Sequence, residues 1–135
     1  MIDALLSALA NWAIENSDIL AVGIVGSYAR GATTADSDID IVLIVVDPGR
    51  YFTTEDWMKR FGEVSSFQDE DWGRLRSRRV SYIGGLEVEF GFTVVAWAST
   101  DPIDPGTKRV VAGGVVAVHD PKSILRSLVA AMQKS

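Results

Sequence analysis

Two runs of branched apolar residues, Ile19–Val25 (ILAVGIV) and residues 39–46 (IDIVLIVV), constrain this chain more than any other feature. Each is short, rich in Ile and Val, and reads as a buried strand. The first is ended by Gly26-Ser27 and the second by the turn signal Asp47-Pro48-Gly49. Buried strands need further strands beside them and helices over them, and the flanking sequence supplies candidates for both.

Residues 2–16 place Ile2, Leu5, Leu6, Leu9, Trp12 and Ala13 at helical spacing, which predicts an amphipathic helix. Thr53 or Thr54 is placed to cap a second helix running to about Gly62, with Glu55 and Asp56 near its positive end. After a polar stretch, residues 75–82 and 86–95 flank Gly84-Gly85, a hairpin signature. Residues 100–114 read as loop with room for one helical turn, and 115–118 as a further strand. Asp120-Pro121 opens a last helix in which Ile124, Leu125, Leu128, Val129 and Met132 share a face. The expected order is α, β, β, α, β, β, β, α. That is an α/β (α+β) fold, a mixed sheet of about five strands with helices packed on it, in one domain over residues 1–135.

The charge balance narrows the function. Thirteen Lys and Arg against eighteen Asp and Glu leave a net charge of −5, which disfavours bulk nucleic acid as a partner. With no cysteine there is no disulfide framework, thiolate nucleophile or Cys-rich zinc site, and one histidine, His119, cannot form a cluster. Asp3 stands where a signal peptide carries basic residues. No apolar run approaches the roughly eighteen residues of a membrane span, so a cytoplasmic location is expected.

The chemistry concentrates in Gly26-Ser27-Tyr28-Ala29-Arg30-Gly31 and Ser37-Asp38-Ile39-Asp40. Asp38 and Asp40 are two apart at the mouth of a strand, so their side chains share a face roughly 7 Å apart at the backbone. Two such carboxylates repel each other, and a bound divalent cation explains them better than stability does. Oxygen-only ligation favours Mg²⁺ or Mn²⁺. At the preceding turn, Gly26 permits close approach of the backbone to a ligand. The backbone N–H groups and the Ser27 hydroxyl are donors for a phosphate, and Arg30 adds a positive charge. A phosphate cradle beside a carboxylate pair suits metal-assisted phosphoryl or nucleotidyl transfer, which is mainly positioning and charge neutralisation.

Gly26-Ser27, ten intervening residues and Asp38-Ile39-Asp40 resemble the signature of the DNA polymerase β-like nucleotidyltransferase superfamily. Ala29-Arg30-Gly31 with Ser37 resembles its minimal branch. The resemblance implies a palm-like nucleotidyltransferase fold, with Gly26, Ser27, Arg30 and Ser37 binding the nucleotide and Asp38 and Asp40 binding the metal. It also implies a third carboxylate on a later strand. Glu87 and Glu89 are the candidates, and Glu89, a few residues into the strand after a hydrophobic neighbour, fits the pattern better. The competing reading makes these glutamates the polar face of a hairpin opposite Arg76 and Arg78. Arg74, Arg76 and Arg78 themselves read as a solvated strand face before a contact for triphosphate or an anionic acceptor. Trp57, Trp72 and Trp97 read as core packing before base stacking, and His119 as structural.

The activity implied is transfer of a nucleoside monophosphate, AMP from ATP, to a hydroxyl acceptor, assisted by Mg²⁺. The resemblance to minimal nucleotidyltransferase antitoxins points to an acceptor on a partner protein. The alternatives are adenylylation of a small molecule such as an aminoglycoside, and a non-catalytic partner-binding module. Larger members of the superfamily carry an added helical domain. Without one, the walls of the base and acceptor pockets are expected from a protein partner or a homodimer.

Overall fold

The computed structural model describes residues 2–31 and 38–134. Helix α1 (Ile2–Glu15) buries Leu5, Leu9, Trp12 and Ala13 along one stripe, as its spacing predicts. Strands β1 (Ile19–Val25) and β2 (Ile39–Val45) are buried almost throughout and pair antiparallel. Between them lies a single helical turn, α2 (Gly26–Ala29).

Among the described residues the sheet has six strands, one more than the five counted from the sequence. It is completed by β3 (Val64–Asp71), β4 (Arg76–Tyr82), β5 (Glu87–Thr93) and β6 (Val116–His119), in the order β3-β4-β5-β2-β1-β6. β2 and β5 run parallel while the other pairs are antiparallel, which makes the sheet mixed as expected. The additional strand is β3, whose residues VSSFQDED carry no apolar alternation because it is an exposed edge. It is held by its neighbour, with Asp69 opposite Arg78 and Asp71 opposite Arg76.

Alternation along each strand sorts the side chains onto two faces. Ile41, Leu43, Val80, Val88, Phe90 and Phe92 pack with α1. That face is closed by an aromatic cluster in which Trp12 stacks on Trp57 at 5.5 Å and Tyr51 on Phe92 at 4.6 Å. The segment expected as one α-helix over 53–62 is instead two 3₁₀ turns, Pro48–Phe52 and Asp56–Phe61. Thr53 does not cap the second; its Oγ1 donates to the Arg50 carbonyl at 3.0 Å and closes the first. The break lets Tyr51, Trp57 and Phe61 all reach the aromatic cluster.

Val42 and Ile44 on the opposite face pack with Trp97, Val111, Leu125 and Leu128. The last three of these come from α3 (Pro105–Val111) and α4 (Ile124–Lys134). The proline and glycine signals at 105–106 start a helix and do not mark a loop. Asp104 caps α3 by accepting from the Thr107 N–H at 3.1 Å, and Pro105 takes the first helical position. His119 lies on β6 opposite Val22, within the sheet.

Arg78 departs from the solvated face expected of it. Only 3% of its side chain is exposed, and it donates to Asp69 at 2.7 Å and to the Thr54 carbonyl at 2.8 Å. A buried charge with fixed partners is costly to disconnect. Arg78→Ala should therefore lower the unfolding free energy by about 3 kcal/mol, whereas Arg76→Ala costs less than about 1. Urea denaturation checks this, and equal losses from the two variants would contradict the assignment.

Candidate active site

On the second face, α3 and α4 pack over β1 and the later part of β2, and the part left more open is where Asp38, Asp40, Glu87, Glu89, Arg79 and Ser81 are only half-buried. Asp38 immediately precedes β2 and Asp40 is its second residue, so both project onto the open part. The parallel register sets Glu89 of β5 directly opposite Asp40, and Val88 opposite Ile39. Glu87 lies one pleat back, toward Asp38, and accepts from the Ser81 hydroxyl at 3.0 Å.

Gly26 follows Val25, the cross-strand partner of Asp40, and has φ +73°. A Cβ there would run into the Asp40 carboxylate, so the turn needs glycine both for its backbone and for the space above Asp40. Ser27 lies on α2. Arg30 caps α2, its N–H donating to the Gly26 carbonyl at 3.2 Å, and its stem lies where a Cβ on Gly113 would stand. Ser37 lies outside the described residues.

Arg79 holds the centre of the acidic face. It donates from one Nη to Asp38 at 2.6 Å, from the other to Glu89 at 2.8 Å, and from Nε to Glu70 of β3 at 3.4 Å. The arginine facing the glutamates across the hairpin is thus Arg79, opposite Glu89, and not Arg76 or Arg78, which face Phe92 and Phe90. Arg79 is not among the candidates that the sequence pattern singles out. Its signal was parity, since it alone of the cluster at 76–79 shares a face with Glu87 and Glu89 once the hairpin register is set.

Burial pushes the Asp40 carboxyl above the ordinary carboxylate range and the charge of Asp38 adds to this, against the pull of Arg79 and Arg30. Glu89 is raised mainly by burial, with Arg79 opposing and Asp40 and Glu70 adding. Asp38 is raised by burial and by its neighbour Glu87, again against Arg79. For all three the first cause is burial, with the charge of a neighbouring carboxylate adding to it. Among the described residues no three acids already converge as metal ligands, and the Arg79 guanidinium stands between two of them.

Beside this face opens a cleft of about 750 Å³ lined by Gly26, Arg30, Asp40, Glu89, Arg74 and Trp72, within the usual range for a small-ligand site. Arg109 and Asp104 of the α3 region form its far wall, and Arg74 pairs with Asp104 at 3.4 Å. Trp97 is buried and Trp57 belongs to the aromatic cluster, as expected. Trp72 is 59% exposed at the cleft and donates from its indole to Ser77 Oγ at 3.0 Å, so it is not a core residue.

Residues 2–87, more than half of the chain, match the profile of a family described as streptomycin adenylyltransferase. The chain belongs to that family. It is thereby a member of the nucleotidyltransferase superfamily, and the match takes in the Gly26-Ser27 turn and both aspartates. Among solved structures it is similar to an aminoglycoside 6-adenyltransferase from Bacillus subtilis, with a TM-score of 0.58 and 15% identity over 82% of this chain. The chain spans 38% of the length of that enzyme. A weaker likeness, TM-score 0.49 at 14% identity over 93% of this chain and 31% of the other, is to a CCA-adding enzyme in an apo form. No curated protein gives a significant sequence match. The fold is that of nucleotidyltransferases, in line with the palm-like expectation. Among the described residues no helix is long and apolar enough to cross a membrane.

The raised Asp40 carboxyl has a consequence for stability. Its proton binds more tightly in the folded than in the unfolded chain, so its ionisation weakens the fold as pH rises through the folded value. Asp40→Asn escapes that cost. At pH 8 the variant should melt above wild type, and the gain should vanish as pH falls below the ordinary carboxylate range. Thermal denaturation across pH checks this; a variant less stable at pH 8, or a gain independent of pH, would contradict it.

Proposed function

We propose that this chain transfers AMP from ATP to a hydroxyl acceptor, with Asp38, Asp40 and Glu89 holding Mg²⁺, or Mn²⁺ in its place. The observation that carries the reading is the register of β2 with β5, which sets Glu89 opposite Asp40 beside the Gly26-Ser27 turn. The donors are all carboxylate oxygens, the set a hard divalent cation prefers, and they are partly buried near one another, where like charges repel. They fit such an ion provided that Arg79 gives way. A bound cation supplies charge neutralisation on the triphosphate and lowers the pKa of the acceptor hydroxyl.

The chain's own residues do the rest. The Gly26-Ser27 turn offers its backbone N–H groups and the Ser27 hydroxyl to a phosphate, Arg30 faces the same space, and Ser37 is proposed to join them. Glu89 either completes the metal set or, in its place, accepts the proton of the acceptor hydroxyl. Glu87 is tied to Ser81 and sits farther from Asp40.

The family match favours a small hydroxylated acceptor, with aminoglycosides as the first class to test, over a partner protein. A cleft of about 750 Å³ within the chain also reduces the need for a homodimer or partner to build the pocket walls. Modification of a partner protein, as by an antitoxin, and contact without catalysis are the competing outcomes.

Incubation with labelled ATP and Mg²⁺, against streptomycin and other aminoglycosides and then against proteins encoded nearby, separates these readings. Label should move to a small acceptor. Glu89→Gln should cost about 100-fold or more in kcat with little change in nucleotide affinity, and Glu87→Gln only a few-fold. The reverse ranking would move the third acid to Glu87, and no transfer to any acceptor would remove the reading.

A further inference from the structure

The neighbouring arginines Arg78 and Arg79 are built differently. Arg78 is buried and anchored to the backbone carbonyls of Phe52 and Thr54 as well as to Asp69. Arg79 is 38% exposed, and its guanidinium donates to three carboxylates on three different parts of the sheet: Asp38, Glu89 and Glu70. Two of those three are residues assigned above to the metal, and Asp40, the third, feels the same charge. The guanidinium therefore stands where the carboxylates call for a cation.

We propose that Arg79 is a resident counter-cation that a divalent ion must displace, so that these carboxylates take up the ion together with a triphosphate and not alone. The proposal rests on the metal assignment of the preceding section. A free divalent ion has to give up tightly held water and also dislodge a guanidinium already hydrogen-bonded to Asp38 and Glu89, which lowers what the exchange gains. A triphosphate changes the balance, because its negative charges neutralise the incoming ion and leave room for an arginine displaced from Asp38 and Glu89. Arg79 has somewhere to go. Its Nε already faces Glu70, on the edge strand and away from Asp40, and a rotation about that contact frees Asp38 and Glu89 without stranding the charge.

The experiment measures Mn²⁺ affinity of the whole chain by calorimetry or electron paramagnetic resonance, with and without a non-hydrolysable ATP analogue. In wild type, Mn²⁺ and the analogue should bind cooperatively. Arg79→Gln should bind Mn²⁺ alone about tenfold or more tighter than wild type and melt higher when Mn²⁺ is added, while Arg79→Lys, which keeps the charge, stays close to wild type. Equal Mn²⁺ affinity in wild type and Arg79→Gln without the analogue would overturn the proposal. Should Arg79→Gln not fold, independent binding of Mn²⁺ and analogue to wild type would overturn it equally. A failure of the metal assignment itself looks different: Asp40→Asn would then bind Mn²⁺ and analogue as well as wild type does.

Discussion

The parallel pairing of β2 with β5 is the constraint on which the rest of the site depends. It joins strands nearly fifty residues apart in sequence, and it sets which carboxylates meet. A shift by one residue would send Glu87 and Glu89 to the aromatic face and bring Val88 and Phe90 out to the cleft. That shift is prevented from the buried side. Ile41, Phe90 and Phe92 are packed against α1 and the aromatic cluster, so core packing on one face fixes which carboxylates meet on the other.

Electrostatics then works against the arrangement that packing imposes. Asp38, Asp40 and Glu89 are partly buried close together, and all three hold protons more tightly than isolated carboxylates do. Arg79 relieves part of this strain and Arg30 a smaller part. Gly26 removes the one side chain that would compete for the space over Asp40. The space over Asp40 is thereby kept open, at the cost of leaving like charges near one another.

Much of this was legible in the sequence, for reasons that are local. Asp38 and Asp40 share a face because strand side chains alternate, and the apolar runs around them leave no other reading for β1 and β2. What the sequence hid depends on long-range pairing. β3 has no pattern of its own and exists because β4 templates it. The hairpin at Gly84-Gly85 was visible, but its closing pair is Tyr82 with Leu86, which makes the loop three residues long. Arg79 is thereby placed opposite Glu89, whereas the sequence reading paired the glutamates with Arg76 and Arg78. Trp72 is a turn residue beside Gly73, and only the turn's position at the cleft reveals its exposure. The segment 53–62 misled because its capping residues suit an α-helix, while its aromatic residues are spaced for a shared cluster.

On the reading proposed above, this register builds a three-carboxylate cation site from Asp38, Asp40 and Glu89. A crystal structure with Mn²⁺ and a non-hydrolysable ATP analogue, with the ion located by its anomalous signal, tests it most directly. The ion should be ligated directly by oxygens of Asp38 and Asp40, with Glu89 completing the set and Glu87 still bonded to Ser81. An ion held by the triphosphate alone, or by Glu87 in place of Glu89, would contradict it.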